Sequence, residues 1–376
     1  MRIPSFITLF VLLQSHFLSA QEDALLPFTL NGNINADSGV IQLNVSFDSD
    51  YYPKEVAKTI KARVENRKFT IKGFIPYPQG VTLSYGERYY SYFFVIEPGT
   101  QSVTCNLIAG RETPKVDNAT MKEYEMEYLK AYAPVNQKRI QFNIKRDSLN
   151  HHYQNKVPKS IKLALEQELK GYYREGDRVL LEYINTHPDS YFAFWKVIGL
   201  FRFSYENTFD EMVDGFSGSL KNTHAGKVLQ EKLAIAAQLD YGKKFPSLPA
   251  YDPQDKPLNY ASFSNNQFTF IDFWYSGCHP CISQFPHLKS TYETYKEKGF
   301  EIIGISTDKV RHRDNWQNMI RKYQLAWPQY WDKEGVESAK FSIHKFPTNF
   351  LLDSEGNIVK KDLRPVELEQ FLQENL

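Results

Sequence analysis

Two cysteines, Cys278 and Cys281, stand three residues apart within FIDFWYSGCHPCISQFPHL, residues 270–288. Thiols at that spacing serve one of three chemistries: exchange with other disulfides, half of a metal site, or a structural cross-link. The residues before them, 267–275, form an apolar run that predicts a strand, and residues 280–298 have helical spacing. Cys278 therefore falls at a strand end where a helix begins. The first turn of a helix carries unpaired N–H groups and about half a positive charge, and both favour a thiolate over a thiol. Pro280 in that turn gives up no hydrogen bond and pre-sets φ. Cys281, one turn on, is placed to attack a mixed disulfide formed at Cys278.

The rest of the chain must position this pair. With 376 residues there is room for two or three domains, and 42% hydrophobic content with 15% aromatics excludes global disorder. A net charge of +1 gives no reason to expect a nucleic-acid partner or an anionic membrane surface. Three cysteines are too few, and odd in number, for a disulfide scaffold. Residues 1–20 read as a secretory signal peptide: Arg2, a short apolar run over 6–13, and Ala20 at the cut. No cysteine follows Ala20 to carry a lipid anchor there, and no later segment is apolar enough to span a bilayer. This predicts a mature chain outside the cytoplasm, without an integral membrane segment, where disulfides persist.

Residues 21–114 have period two. Ile41, Leu43, Val45 and Phe47 alternate with polar residues, as do Tyr90, Tyr92 and Phe94, then Val103, Cys105 and Leu107, with turns at NGN, ADSG, YPQG and EPGT. An antiparallel all-β domain, sandwich- or barrel-like, is predicted, with Cys105 as a small buried hydrophobe. Residues 115–240 switch to three- and four-residue steps in MKEYEMEYLKAYA, KSIKLALEQELKGYYREG, DRVLLEYINTH, SYFAFWKVIGLFRF and GKVLQEKLAIAAQL. Gly176 and HPDS at 187–190 punctuate this α-helical middle region, with Asp189 or Ser190 as an N-cap. The stripe Tyr191, Phe192, Phe194, Trp195 reads as helix–helix packing. The Pro-rich FPSLPAYDPQDKP marks a connection over 241–258. From 259 onward come strand 267–275, helix 280–298, strand 300–306, helix 312–324, a short strand in AWPQYW, a helical turn near 335–341, strands 348–353 and 357–361, and a helix from Pro365. That order predicts a mixed central sheet flanked by helices.

With these elements placed, FIDFWYSGCHPC resembles the active-site run of the thioredoxin superfamily. Together with GFEIIGISTDK and HKFPTNFLLDSEGNIVK it resembles the extracytoplasmic branch typified by TlpA and ResA. The resemblance covers residues 245–376. It implies a C-terminal α/β thioredoxin fold over 259–376 and a redox-active Cys278–Cys281 disulfide needing no other cofactor. It also implies a cis proline at Pro347, after Phe346, whose neighbouring backbone pairs with the substrate chain. Trp274, His279 and Pro280 complete the implied substrate-contacting set, and Pro286 stands where thioredoxins commonly kink this helix. Two positions depart from the pattern: Gly277 replaces a common Trp, and Gln284 replaces a common Glu with a side chain that cannot take a proton. Asp272 matches the buried carboxylate of cytoplasmic thioredoxins. Burial raises a carboxyl pKa, so Asp272 is expected to accept the Cys281 proton instead. A charged His279 would further favour the Cys278 thiolate. The upstream regions resemble the β domain and helical region found ahead of TlpA-like domains in some bacterial envelope proteins.

A closed zinc site takes four ligands, and His279, His287 and His344 come with no second C-x-x-C, so no metal is expected. Haem attachment needs His after Cys281, where Ile282 stands. A peroxiredoxin would carry Thr three residues, and Pro seven residues, before its reactive cysteine; Tyr275 and Ile271 stand there. Two competitors stay open, a partner-docking module and a disulfide-forming oxidant. The expected function is thiol–disulfide oxidoreduction in the bacterial periplasm on protein disulfides. The resemblance favours reduction, fed by a membrane electron-donor protein.

Overall fold

The computed structural model describes residues 24–86, 89–106, 112–201 and 208–376. The expected leader at 1–20, Leu107 and the last residues of SYFAFWKVIGLFRF lie outside them. The period-two region folds into β1 (Leu26–Ile34), β2 (Ser38–Val45), β3 (Ile60–Glu65), β4 (Lys68–Ile75), β5 (Gln79–Tyr85), β6 (Tyr89–Tyr90), β7 (Phe94–Ile96), β8 (Gly99–Cys105) and β9 (Lys115–Asp117). They make one sheet in the order β6-β5-β2-β3-β4-β1-β8-β9, with β7 also on β5. The pairing is antiparallel except between β1 and β8, which run parallel because the chain returns through β2 to β7 before β8 forms. Tyr90 and Tyr92 are half exposed while Tyr89 and Ser91 are buried, so the expected alternation is out of phase at 90 and 92, whereas Phe94 is buried as expected. β6 is only two residues long, and β7 is buried at all three positions.

The helical region holds α1 (Ala119–Glu123), α2 (Leu129–His152), α3 (Lys159–Thr186), α4 (Tyr191–Phe201), α5 (Thr208–Gly215), α6 (Gly218–Lys221) and α7 (His224–Ala236). Two of these differ from the expected elements. Helix α2 continues through Pro134 as far as His152, and α3 runs unbroken across Gly176. Gly176 serves close approach, not termination: a Cβ there would stand 2.9 Å from the Tyr132 hydroxyl on α2. Helix α2 buries only Val135 and Phe142. Its pairing with α3 includes Lys138–Glu175 and Lys145–Glu168, each at 2.6 Å, so it carries little apolar periodicity to read.

Strands and helices share one core, in which Leu30, Ile41, Leu83 and Phe94 meet Leu180, Trp195, Met212 and Leu229. Trp195 stacks on Tyr52 (4.9 Å between centroids) and Phe47 (5.9 Å) and gives its indole N–H to Pro78 O at 3.0 Å. The aromatic stripe at 191–195 therefore packs on the sheet as well as on helices. Ser190 accepts the Ala193 N–H at the start of α4.

The C-terminal region holds β10 (Phe268–Trp274), α8 (His279–Tyr295), β11 (Phe300–Ser306), α9 (Arg313–Tyr323), β12 (Gln329–Trp331), α10 (Val336–Lys340), β13 (Thr348–Asp353), β14 (Ile358–Lys361) and α11 (Pro365–Asn375). Its sheet has the order β12-β11-β10-β13-β14, with β10, β11 and β12 parallel and β13 and β14 antiparallel. Side chains of β10 alternate between two cores. Phe270 and Trp274 face α8 and α11, whereas Ile271 and Phe273 face the stretch 241–258. That stretch is packed rather than loose: Phe245, Leu248, Ala250 and Leu258 are buried. Backbone hydrogen bonds tie Gly242 to Ile358, Phe245 to Gly356 and Tyr251 to Trp331. Helix α11 meets α3 through Lys170–Glu367 (2.6 Å) and Arg364–Glu166 (2.7 Å). Among the described residues no helix is long and apolar enough to cross a membrane.

Truncating Trp195 to alanine is expected to destabilise the N-terminal sheet and helices by about 3–5 kcal/mol. Urea unfolding followed by circular dichroism measures this, and the redox midpoint of the Cys278–Cys281 pair should not move.

Candidate active site

The apolar strand β10 ends at Trp274, and a short loop later Cys278 caps α8. Its backbone N–H bonds to Tyr275 O (2.9 Å), and its carbonyl accepts from Ile282 N (3.0 Å). Its Sγ accepts the backbone N–H of Cys281 at 3.2 Å, one of the donors a helix start leaves unpaired. Cys278 and Cys281 are joined as a disulfide with Cα atoms 5.3 Å apart. Their residues are only 2% and 1% exposed. Around them Tyr275, Gly277, His279 and Pro280 reach solvent.

The loop ahead of Cys278 is held by a residue that sequence patterns do not single out. Asp308 is buried and accepts the Ser276 N–H (2.8 Å), the Ser276 hydroxyl (2.6 Å) and the Ser306 hydroxyl (2.8 Å). Asp308 lies within the GFEIIGISTDK run, but an acidic residue after a strand reads as a turn. Only the fold brings it to Ser276.

Asp272 lies mid-strand on β10, on the face of Phe270 and Trp274 against which α8 packs. It is buried, its Oδ1 has no hydrogen-bond partner, and burial pushes its carboxyl up to about 7. The expected burial of this carboxyl is therefore observed, on the face that also receives Cys281. The remaining cysteine, Cys105, is a free thiol buried in the N-terminal core, where desolvation, then Glu112, pushes it up to about 12. It offers no competing thiolate at neutral pH.

The Phe346–Pro347 bond is cis. Phe346 meets the edge of Tyr275 at 5.5 Å, which brings the loop before β13 against the loop before α8. The Tyr275 ring also lies along Gly277, where a Cβ would stand 3.3 Å from it, so a tyrosine two residues upstream occupies part of this surface. Trp274 is a correction. It was expected against the substrate but is 1% exposed, edge-on to Phe285 with its indole N–H donated to Gln329 Oε1 at 3.2 Å. An inward-facing residue of a central strand has no surface to offer. Pro286 lies inside α8, and Gln284 is half-buried on it. The three histidines do not gather: His287 pairs with Glu369 (2.7 Å), and His344 lies in the field of Lys232, Asp48 and Asp50 on the N-terminal region. Among the described residues no group of three His, Cys, Asp or Glu could hold a metal.

A mixed sheet with a cysteine pair at a helix start and a cis proline alongside defines a thioredoxin-fold oxidoreductase domain. Residues 241–361 match the AhpC/TSA family. The chain is 30% identical over 139 residues to the thiol-disulfide oxidoreductase ResA of a Bacillus cereus strain, covering 36% of this chain and 79% of that one. It is 29% identical over 138 residues to ResA of Bacillus thuringiensis subsp. konkukian, covering 36% and 78%. Among solved structures, the thioredoxin domain of a thiol-disulfide oxidoreductase from Bacteroides vulgatus is 31% identical, covering 36% of this chain and 97% of that one, with a TM-score of 0.34. Through its C-terminal third the chain belongs to the ResA family of thiol–disulfide oxidoreductases.

The Asp272 environment has a measurable consequence. The folded chain holds this proton up to about pH 7, whereas the unfolded chain releases it near its ordinary value of 3.8. Stability therefore falls as pH rises between those values and levels off above them. Asp272→Asn removes the effect, and its stability relative to the parent should rise across that window by up to on the order of 4 kcal/mol. Urea titrations of the oxidised protein at a series of pH values check this; a difference independent of pH contradicts the raised carboxyl.

Proposed function

We propose that the chain exchanges disulfides through the Cys278–Cys281 pair, reducing protein disulfides outside the cytoplasm. The observation that carries this is the placement of Cys278 Sγ at the start of α8, bonded to the Cys281 N–H, on the face of β10 that also holds a buried carboxyl with an unpartnered oxygen. In the reduced protein, the Cys278 thiolate attacks one sulfur of a client disulfide and expels the other as a thiolate. The Cys281 thiol gives its proton to the Asp272 carboxylate and attacks Cys278 Sγ. This closes the Cys278–Cys281 disulfide and frees the second client thiolate, so two electrons pass to the client. The backbone beside Phe346 and Pro347 holds the client chain, with His279 and Pro280 on the exposed rim. Because Cys278 is 2% exposed, a client must displace neighbouring side chains to reach its sulfur.

The redox disulfide itself is the only cofactor this chemistry needs, and a membrane electron donor would regenerate the dithiol. The leader-like residues 1–20 support a periplasmic location. The 241–258 and 259–376 stretches act as one redox unit, with residues 21–114 and 115–240 as its partner-facing module.

Cys281→Ser is expected to accumulate mixed disulfides through Cys278, and Cys278→Ser to accumulate none and to lose insulin reduction. Equal, low trapping by both variants contradicts the assignment. A reduction potential near about −270 mV fits a reductant, and one near about −120 mV would make the chain an oxidant. Asp272→Asn should slow resolution of the mixed disulfide at neutral pH; an unchanged rate removes Asp272 from the mechanism.

A further inference from the structure

The buried face that holds Asp272 contains a second orphaned polar atom. Gln329 on β12 is 6% exposed, and its Nε2 has no hydrogen-bond partner. Its side chain does not stay over its own strand. In the ladder, Gly304 on β11 stands between Asp272 on β10 and Gln329 on β12, paired with both. A Cβ on Gly304 would lie 2.3 Å from Gln329 Oε1 and 2.7 Å from Nε2, so the amide occupies the space that a side chain at 304 would fill. From there Oε1 reaches β10, accepting the Trp274 indole N–H at 3.2 Å. The donor half of the amide is left over Gly304, and the next residue across the ladder is Asp272, one strand spacing of about 4.8 Å away.

Other groups facing Asp272 do not compete for this role. Asn349, its partner on β13, has both halves of its amide bonded to Leu363, donating at 2.9 Å and accepting at 2.8 Å. Helix α8 brings Cys281 to this face; β11 brings apolar Phe300 and Ile302 and, directly beside Asp272 in the ladder, Gly304, while the Ser306 hydroxyl further along β11 is taken by Asp308. Burial alone accounts for the raised Asp272 pKa, with no charged neighbour contributing.

We propose that Gln329 is a positioning residue for the proton acceptor: its Nε2–H donates to the ionised Asp272 carboxylate across Gly304 and holds it ready to receive the Cys281 proton. A donor to the charged form favours that form, so Gln329 keeps part of the Asp272 population ionised at neutral pH despite its burial. The inference rests on the base role proposed for Asp272. Gly304 is part of the device, because any larger residue would evict the amide.

The test uses the full chain. The Asp272 carboxyl is titrated by carbon-13 NMR in the oxidised protein. The rate at which Cys281 resolves a Cys278–glutathione mixed disulfide is then followed against pH. Gln329→Met is expected to raise both the carboxyl titration and the acid limb of the rate profile by about one pH unit, slowing resolution about tenfold on that limb. Gln329→Glu keeps the acceptor for Trp274 and loses the donor. Gly304→Ala displaces the amide. Both should shift the titration in the same direction, and either stands in for Gln329→Met if that variant fails to fold. In an Asp272→Asn background, Gln329→Met should no longer move the rate profile. An unmoved titration in the Gln329 variants overturns this inference and leaves Asp272 as the base. A limb that survives Asp272→Asn overturns the base role itself, and the titration then decides alone whether the amide engages the carboxyl.

Discussion

The chemistry proposed for the C-terminal third depends on one contact, the Cys281 N–H pointing at Cys278 Sγ where α8 begins. When the disulfide is reduced, that hydrogen bond and the open end of the helix stabilise a negative sulfur. A hydrogen bond to a charged group contributes about 1.5–3 kcal/mol, which corresponds to about one to two pKa units. That is enough to decide whether a thiol is mostly protonated or mostly thiolate at neutral pH. Pro280 leaves the contact undisturbed because it has no N–H of its own. The Ser276–Asp308 bonds fix the approach of the chain, so the sulfur arrives at the helix end in one position.

Three buried carboxyls in this domain show why burial alone does not mark a functional acid. Asp308 and Asp332 are as buried as Asp272, but their oxygens accept several bonds each, from Ser276 and Ser306 in one case and from Glu337 N (3.1 Å) and Ser338 N (2.7 Å) in the other. They hold loops in place. Asp272 has an orphaned oxygen, and a carboxyl in that condition holds its proton into the neutral range. The difference lies in partners.

Most of the C-terminal fold is legible in the sequence because its strands are short apolar runs bounded by turns and its helices are separated by them. Cys278, Cys281, Asp272, Phe346 and Pro347 stand out by spacing and resemblance. What stays hidden depends on contacts between distant residues. Asp308 acts 32 positions from Ser276, Gln329 acts across Gly304, and neither has a local pattern to betray it. Trp274 misleads because a run that includes the site looks like the site, although alternation along β10 turns it inward. In the helical region α2 is hard to see because ion pairs, with few apolar contacts, join it to α3. Gly176 looks like a stop because sequence cannot tell a glycine that ends a helix from one that lets two helices touch.

The packed stretch between Tyr241 and Leu258 sets a limit on how the redox site can work with the rest of the chain. A flexible segment of that length would let the two halves sample many separations and dilute any client held by one before it met the other. Here its side chains are seated in the C-terminal core and its backbone is laced to β14 and β12. The connection therefore adds no loose tether to the disulfide: from Phe245 onward the chain moves with the redox core. A client of the proposed partner-facing module would have to be delivered to the sulfurs without slack from this segment.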